Sequence, residues 1–213
     1  MREEIERYWR ELIQVTWTMP FGALAEAAEV LLDCYHRDGT VFVLGNGGSA
    51  ATASHFACDL AKGTLTSGAP AFRVIPLTDN VPLLTAWAND RSYERVFAEQ
   101  LSALVREGDV VVAISASGTS PNVLAAANVA RRVGATTIAL TGRSGGWLYG
   151  LADLTVRVPA DLIEQVEDAH VVIVHSLCVV LRERLRVEAT ERSAKISTLH
   201  EVVSEAAAAD LGT

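Results

Sequence analysis

Residues 40–63, TVFVLGNGGSAATASHFACDLAKG, constrain the fold more than any other stretch of this chain. The pattern predicts a buried strand over 41–44, then a glycine turn, and then a helix that opens at Ser49. Because the free N–H groups of a first helical turn attract negative charge, the segment is typical of an anion-binding site. His55 and Asp59 follow four residues apart, so we expect them to share one face of that helix.

Apolar runs alternate with helical patterns along the rest of the chain. We predict further strands over 72–77, 110–114, 136–140 and 154–158. We predict helices over 3–17 and 24–36, from the Asn80 cap through Trp87, and over 93–105, 121–133, 162–185 and 191–208. This alternation predicts an α/β fold, a three-layer α-β-α sandwich around a five-stranded parallel sheet. The two helices that precede the first strand lie outside the repeating strand–helix unit. The first of them could pack on its own sheet or on another subunit.

Composition narrows the class of protein. A length of 213 residues suits one α/β domain, and a net charge of −8 argues against general nucleic-acid binding. Cys34, Cys58 and Cys178 are widely spaced within apolar helical patterns, which favours reduced core thiols over a disulfide framework. The N-terminal segment lacks a long apolar region, and no apolar run could span a bilayer. We therefore expect a cytoplasmic protein.

A second polar loop, Ser115 to Ser120, follows the predicted strand 110–114 and precedes a helix at Pro121. Four hydroxyl groups in six residues can hold a phosphate together with backbone N–H groups. In an open parallel sheet the carboxyl ends of the strands meet at one edge, so this loop can converge with the glycine turn. Helix capping explains one or two of these hydroxyls but not four. A phosphate or phosphosugar site is the favoured interpretation, and a Rossmann-like turn with an incidental His/Asp pair is the alternative.

Several motifs now make the chain recognisable. They are NGGSAATASHF at 46–56, AWAND at 86–90, ISASGTSPNVL at 114–124, ALTGRSGG at 139–146, and a last helix with His170 and His175. In this order they resemble the sugar isomerase (SIS) domain and, within it, the phosphoheptose isomerase group. The resemblance implies a single SIS domain over 1–213 with its core at about 20–185. The helices 3–17 and 191–208 are then expected to be oligomerisation extensions.

The resemblance also implies an activity. Proteins of this group are homotetramers with sites between subunits, several hold zinc, and they convert sedoheptulose 7-phosphate to D-glycero-D-manno-heptose 7-phosphate. We therefore expect an aldose–ketose isomerase that proceeds by enediol proton transfer, with no direct nucleic-acid or membrane partner. One alternative is a non-catalytic SIS-domain regulator that binds a replication initiator protein, since some tetrameric members do so. Another is an isomerase for a different sugar phosphate.

Site residues are carried over only where the motifs match. The phosphate-binding hydroxyls correspond to Ser49, Ser115, Ser117 and Ser120. The same two loops contain Asn46, Gly47, Gly48 and Ala116. Asp90 corresponds to a carboxylate that contacts the substrate.

Two departures from the family pattern concern the metal site. His55 matches the first metal-site histidine, and His175 matches the last-helix histidine that acts as ligand or acid–base group. Asp59 stands where the family has Glu, and Glu167 stands where it has Gln. The expected zinc set is therefore His55, Asp59, Glu167 and His175, all suitable ligands in kind. We expect Asp59 and His175 to exchange protons with the substrate near a metal that His55 helps to bind.

The geometry of the last helix leaves the role of Glu167 open. At about 100° per residue, Glu167 lies about 80° from His175, whereas Asp168 lies only about 20° from it. Asp168 or Glu164 could therefore take the role given to Glu167, and an exposed first helical turn accounts for at least two of the three. His170 is expected to be a packing or interface residue rather than a ligand.

Overall fold

A five-stranded parallel sheet forms the centre of the protein. The computed structural model describes the backbone of residues 1–210 and the side chains of residues 1–196. Its strands are β1 (Thr40–Gly45), β2 (Arg73–Pro76), β3 (Val110–Ser115), β4 (Thr136–Thr141) and β5 (Leu154–Arg157). They pair in the order β2-β1-β3-β4-β5, and every pair is parallel. The predicted sheet is confirmed, with strand ends shifted by at most one residue.

Within residues 1–210, seven α-helices surround the strands. They are α1 (Arg2–Trp17), α2 (Phe21–His36), α3 (Gly48–Cys58), α4 (Val81–Asp90), α5 (Val96–Leu104), α6 (Pro121–Val133) and α7 (Ile163–Asp210). A π-helical turn, Asp59–Gly63, continues α3. The predicted helices over 162–185 and 191–208 form one continuous helix, because residues 186–190 contain no glycine or proline that would end it.

The side chains of the strands divide between two apolar layers. Val41 and Val43 face the layer that holds α2, α3 and α7, whereas Phe42 and Leu44 face the layer that holds α5 and α6. Because successive residues of a strand point to opposite faces, a sheet covered by helices on both faces needs apolar residues at every position. The three-layer α-β-α sandwich is therefore confirmed.

Helix α1 lies against α7 through one polar face. Tyr8 donates a hydrogen bond of 2.5 Å to Asp168, and the carboxylate raises the pKa of Tyr8 to about 12. Gln165 donates another of 3.0 Å to Glu11. The opposite face of α1 carries large apolar side chains that are 51% to 79% exposed: Ile5, Trp9, Ile13 and Trp17.

The three cysteines differ in their burial. All three cysteines are free, and Cys34 and Cys178 are buried as predicted. The prediction of a core position is wrong for Cys58, which is exposed because it ends α3 on the side away from the buried Phe56 and Leu60.

Within residues 1–210, no helix has the length and apolar character needed to cross a membrane.

Candidate functional site

Two loops lie side by side at the carboxyl edge of the sheet. β1 runs into the glycine turn 45–48, and its neighbour β3 runs into the serine loop 115–120. The last paired residues of the two strands are Gly45 and Ile114, so both loops start at the same level. Parallel strands with helices on opposite faces thus bring two helix N-termini, those of α3 and α6, to one edge.

The glycine turn leads directly into the first turn of α3. Gly47 has a φ of +54°, a left-handed conformation that glycine adopts without strain. The carbonyl groups of Asn46 and Gly47 accept from Ala50, which starts the helical ladder immediately after the turn. Ser49 lies in the first turn of α3 and is 6% exposed. The structure thus has the glycine turn and helix start expected from the sequence, and anion binding there stays a prediction.

The serine loop is a connected set of hydroxyl groups. Ser115 Oγ lies 3.2 Å from Ser120 Oγ and accepts a hydrogen bond of 3.2 Å from the N–H of Gly118. Ser117 Oγ accepts from the N–H of Thr119 at 3.2 Å. Ser120 occupies the N-cap position of α6 without a side-chain capping bond, so capping does not explain its hydroxyl group.

The serine loop also packs backbone to backbone on the loop that follows β4. The N–H of Leu148 donates to the carbonyl of Gly118 at 3.0 Å, and Gly142 donates to Ala116 at 2.9 Å. Gly118 has a φ of +66°, and a Cβ placed on it would lie 2.0 Å from the carbonyl oxygen of Gly145. The conformation of the serine loop therefore depends on a glycine at position 118.

Two histidines and one carboxylate meet where α3 faces α7. The Nε2 atoms of His55 and His175 are 3.1 Å apart, although the two residues are 120 positions apart in the chain. Asp59 Oδ2 lies 3.5 Å from His55 Nε2 and 3.8 Å from His175 Nε2. Among the described side chains, these three form the one group of potential metal ligands, with donor atoms within 4.8 Å of one another. Two imidazoles and a carboxylate match the donor set of a three-ligand zinc site.

Glu167 lies outside this histidine–aspartate group. A Cβ placed on Gly48 would be 2.9 Å from both carboxylate oxygens of Glu167, so this carboxylate lies beside the glycine turn. The reason is the rise of the helix, because eight residues separate Glu167 from His175 by about 12 Å along the axis. Glu167 therefore lies beside the glycine turn and not in the histidine–aspartate group.

The other two acidic residues of this turn face α1. Asp168 accepts the hydrogen bond from Tyr8, and the charge of Glu164 also acts on the Tyr8 hydroxyl group. Of the three alternatives that the sequence left open, only Glu167 contacts a predicted site loop.

His170 is a buried residue with no access to the site. It is 1% exposed, and neither ring nitrogen has a hydrogen-bond partner within the described part of the chain. Burial lowers the pKa of its imidazole to about 4, a shift that the nearby backbone of Thr141 offsets only in part. The ring is therefore neutral at pH 7, which agrees with the expected packing role.

Asp90 does not join the histidine–aspartate group. It ends α4, is exposed, and accepts a hydrogen bond of 3.0 Å from its neighbour Asn89. The segment after it is tied to the glycine turn, since the Tyr93 hydroxyl donates to Asn46 at 3.0 Å. The substrate contact of Asp90 stays a prediction.

Sequence reasoning missed two polar connections at this edge. Asn46 and Asn122 exchange a pair of amide hydrogen bonds, each 2.8 Å long. Ser54, next to His55, donates to Asp79 in the loop after β2. Asn122 lies within the motif ISASGTSPNVL, so its position was visible, but its partner is 76 residues away and no spacing rule could identify it.

Comparison with known proteins identifies relatives over most of the chain. The family model of the SIS domain matches residues 6–142. The phosphoheptose isomerase of Geotalea daltonii is 41% identical over 162 residues, which cover 76% of this chain and 84% of that protein. The phosphoheptose isomerase of Campylobacter jejuni is 36% identical over 181 residues, covering 84% and 97%. The solved phosphoheptose isomerase of Neisseria gonorrhoeae superimposes with a TM-score of 0.80 at 32% identity, covering 85% of this chain and 98% of that one.

Proposed function

Because the chain belongs to the SIS domain family and, within it, to the phosphoheptose isomerases, we propose how its own residues carry out that reaction. The protein is an aldose–ketose isomerase that interconverts sedoheptulose 7-phosphate and a heptose 7-phosphate. The observation that carries this conclusion is the placement of His55, Asp59 and His175 on the same two helices that border the glycine turn.

The phosphate group of the substrate binds at the two loops. Its oxygens accept hydrogen bonds from N–H groups of the glycine turn, around Gly47 and Gly48, and from hydroxyl groups of four serines: Ser49, Ser115, Ser117 and Ser120. Asn46 and Ala116 line the same cradle. Support comes from the common edge of these loops and from the positive end of the α3 dipole.

Asp59 and His175 move the protons. Isomerisation removes a proton from C1 of the ketose, places one on C2, and shifts another between the two oxygens. Asp59 Oδ2 faces both imidazoles, which leaves Oδ1 to carry the carbon-bound proton. His175 then exchanges protons with the oxygen atoms through Nδ1, since Nε2 is the nitrogen that lies beside His55 and Asp59. The Asp59 carboxylate is the group that the non-catalytic regulators of this family lack, which favours the enzyme.

The same donor set would hold zinc. His55, Asp59 and His175 offer two imidazole nitrogens and a carboxylate oxygen, which zinc prefers. When bound, the ion would polarise the substrate carbonyl and stabilise negative charge on its oxygen. We assign Glu167 to the substrate side of the site because of its position beside Gly48.

Zinc binding is expected to need both histidines but not the Glu167 carboxylate. After zinc loading and dialysis, the wild-type protein should retain about one zinc ion per chain by elemental analysis. His55→Gln and His175→Gln should lose it, because each removes one of three ligands. Glu167→Gln and the surface control His36→Gln should retain it. Loss of zinc from Glu167→Gln would instead make Glu167 a ligand.

Activity is tested directly with the sugar phosphate. Zinc-loaded protein in heavy water should convert sedoheptulose 7-phosphate to an aldose heptose phosphate, with deuterium incorporated at C2 as followed by NMR. Enediol proton transfer is expected to give this exchange, since the side chain that carries the proton is in contact with solvent. If the protein interconverts no seven-carbon phosphate with or without zinc, the assignment fails, and a screen of five- to seven-carbon sugar phosphates would define the alternative.

The assembly and location complete the proposal. We propose one SIS domain over 1–213 with its core at 20–185, assembled into a homotetramer in which α1 contributes to an interface. The exposed stripe of Ile5, Trp9, Ile13 and Trp17 supports this, because such a face is typical of a protein contact. A monomeric mass by light scattering would contradict this assembly.

We propose a cytoplasmic location, since a charged sugar phosphate does not cross a bilayer unaided.

A further inference from the structure

The two loops of the site are joined by a reciprocal pair of asparagine side chains. Asn46 Nδ2 donates to Asn122 Oδ1, and Asn122 Nδ2 donates to Asn46 Oδ1, both at 2.8 Å. Asn122 is 2% exposed and occupies the second position of α6. Its Oδ1 also accepts from the N–H of Val123 at 3.0 Å. These bonds fix which side of each amide carries the oxygen.

The pair lies at the point where backbone pairing between the two strands stops. The ladder between β1 and β3 ends at Gly45 and Ile114. Beyond it the chains separate, since α3 packs in one apolar layer and α6 in the layer on the opposite face. The amide pair therefore spans from one layer to the other directly behind the phosphate cradle.

Tyr93 adds a third segment to this connection. Its hydroxyl donates to Asn46 Oδ1 at 3.0 Å, so that oxygen accepts two hydrogen bonds and both of its lone pairs are used. One N–H of Asn46 remains, and no hydrogen bond among the described residues uses it. Asn46 is thereby oriented with a donor free for an anionic ligand.

We propose that Asn122 and Tyr93 are positioning residues that act through Asn46 to hold the glycine turn and the serine loop at the separation that a phosphate group requires. This inference rests on the proposed function, since it assumes that one phosphate contacts both loops. A cradle whose halves are held in place before binding does not have to be ordered by the ligand. The pair therefore contributes to substrate affinity without touching the reacting carbons.

The test is a set of variants compared by their kinetic constants. Asn122→Ala should raise the KM for the sugar phosphate roughly 10- to 100-fold, because it removes two hydrogen bonds that hold Asn46. The inhibition constant of inorganic phosphate should rise in parallel, while kcat and zinc content change little. Asn128→Ala is the matched control, since Asn128 is an exposed asparagine of the same helix whose one side-chain hydrogen bond among residues 1–196 is to Leu124.

Tyr93→Phe keeps the proposal testable if Asn122→Ala does not fold. Tyr93 is 61% exposed, so loss of its hydroxyl group should leave folding intact and raise KM roughly 2- to 10-fold. Because both residues act through Asn46, the double variant should raise KM by less than the product of the single effects. Effects that multiply independently, or an Asn122→Ala KM equal to that of Asn128→Ala, would overturn the proposal.

A phosphate-binding measurement distinguishes a failure of this inference from a failure of the proposed function. Calorimetry with inorganic phosphate measures the cradle whether or not the protein isomerises a heptose. If wild-type protein binds phosphate but lacks the activity, the activity assignment fails, and weaker binding by Asn122→Ala and Tyr93→Phe still supports the positioning role. If these variants bind phosphate as tightly as the wild type, the positioning role is wrong.

Discussion

Replacing Asp59 with asparagine is expected to lower kcat by roughly 10²- to 10⁴-fold, the usual contribution of a positioned acid–base group. Asparagine has nearly the shape of aspartate but cannot take up the proton from C1 at neutral pH. The affinity for inorganic phosphate should hardly change, because the cradle is built from other residues. Steady-state kinetics on zinc-saturated protein, with calorimetry for phosphate, measures both quantities.

Two control variants are needed to interpret this result. Asp59→Glu keeps the charge and restores the residue of the family pattern, so it should retain far more activity than Asp59→Asn. Glu164→Gln removes a carboxylate that faces α1, and it should behave like the wild type. Zinc content must be measured for each variant, because Asp59 is also a proposed ligand. Full turnover by zinc-loaded Asp59→Asn would remove Asp59 from the mechanism.

The second large effect concerns stability and involves no ionisable group. Gly118→Ala is expected to destabilise the protein by about 2 to 5 kcal/mol, from a left-handed alanine and an overpacked contact. Its Cβ would meet the carbonyl oxygen of Gly145 at 2.0 Å, and that atom belongs to the backbone and cannot turn aside. For a chain of this size the melting temperature should fall by roughly 4 to 20 °C in a calorimetric scan.

Gly108→Ala is the matched control. Gly108 also has a positive φ, +87°, but a Cβ there has no neighbour within 4 Å. This variant carries only the conformational strain of about 1 to 2 kcal/mol. Equal melting temperatures for the two variants would mean that the packing of the serine loop against the loop after β4 contributes nothing.

The two departures from the family pattern have different structural meanings. Asp59 remains within the histidine–aspartate group although its side chain is shorter than glutamate, since its Oδ2 lies 3.5 Å from His55 Nε2 and 3.8 Å from His175 Nε2. Glu167 instead lies at the N-terminus of α3, where its charge complements the positive end of the helix dipole. Only the first departure therefore touches the proposed chemistry.

Much of the fold could be predicted from the sequence, because local patterns report local structure. Apolar runs identified the five strands, and the runs of β1 and β3 are nearly continuous because these central strands are covered on both faces. Pro121 marked the first residue of α6, and Asn80 marked the cap of α4. The glycine turn and the serine loop were recognisable for the same reason, as each is encoded within a few consecutive residues.

Contacts between helices were decided only by the tertiary structure. The helical angle correctly puts Asp168 and His175 near one face, yet seven residues separate them by about 10 Å along α7. At that height the neighbour of Asp168 is Tyr8 of α1, whereas His175 meets His55 of α3. Periodicity indicates the direction of a side chain but not the element opposite it. The strand, turn and helix within 40–63 were thus predictable from the sequence, while the partners of His55, Asp59 and Asn46 depended on chain packing.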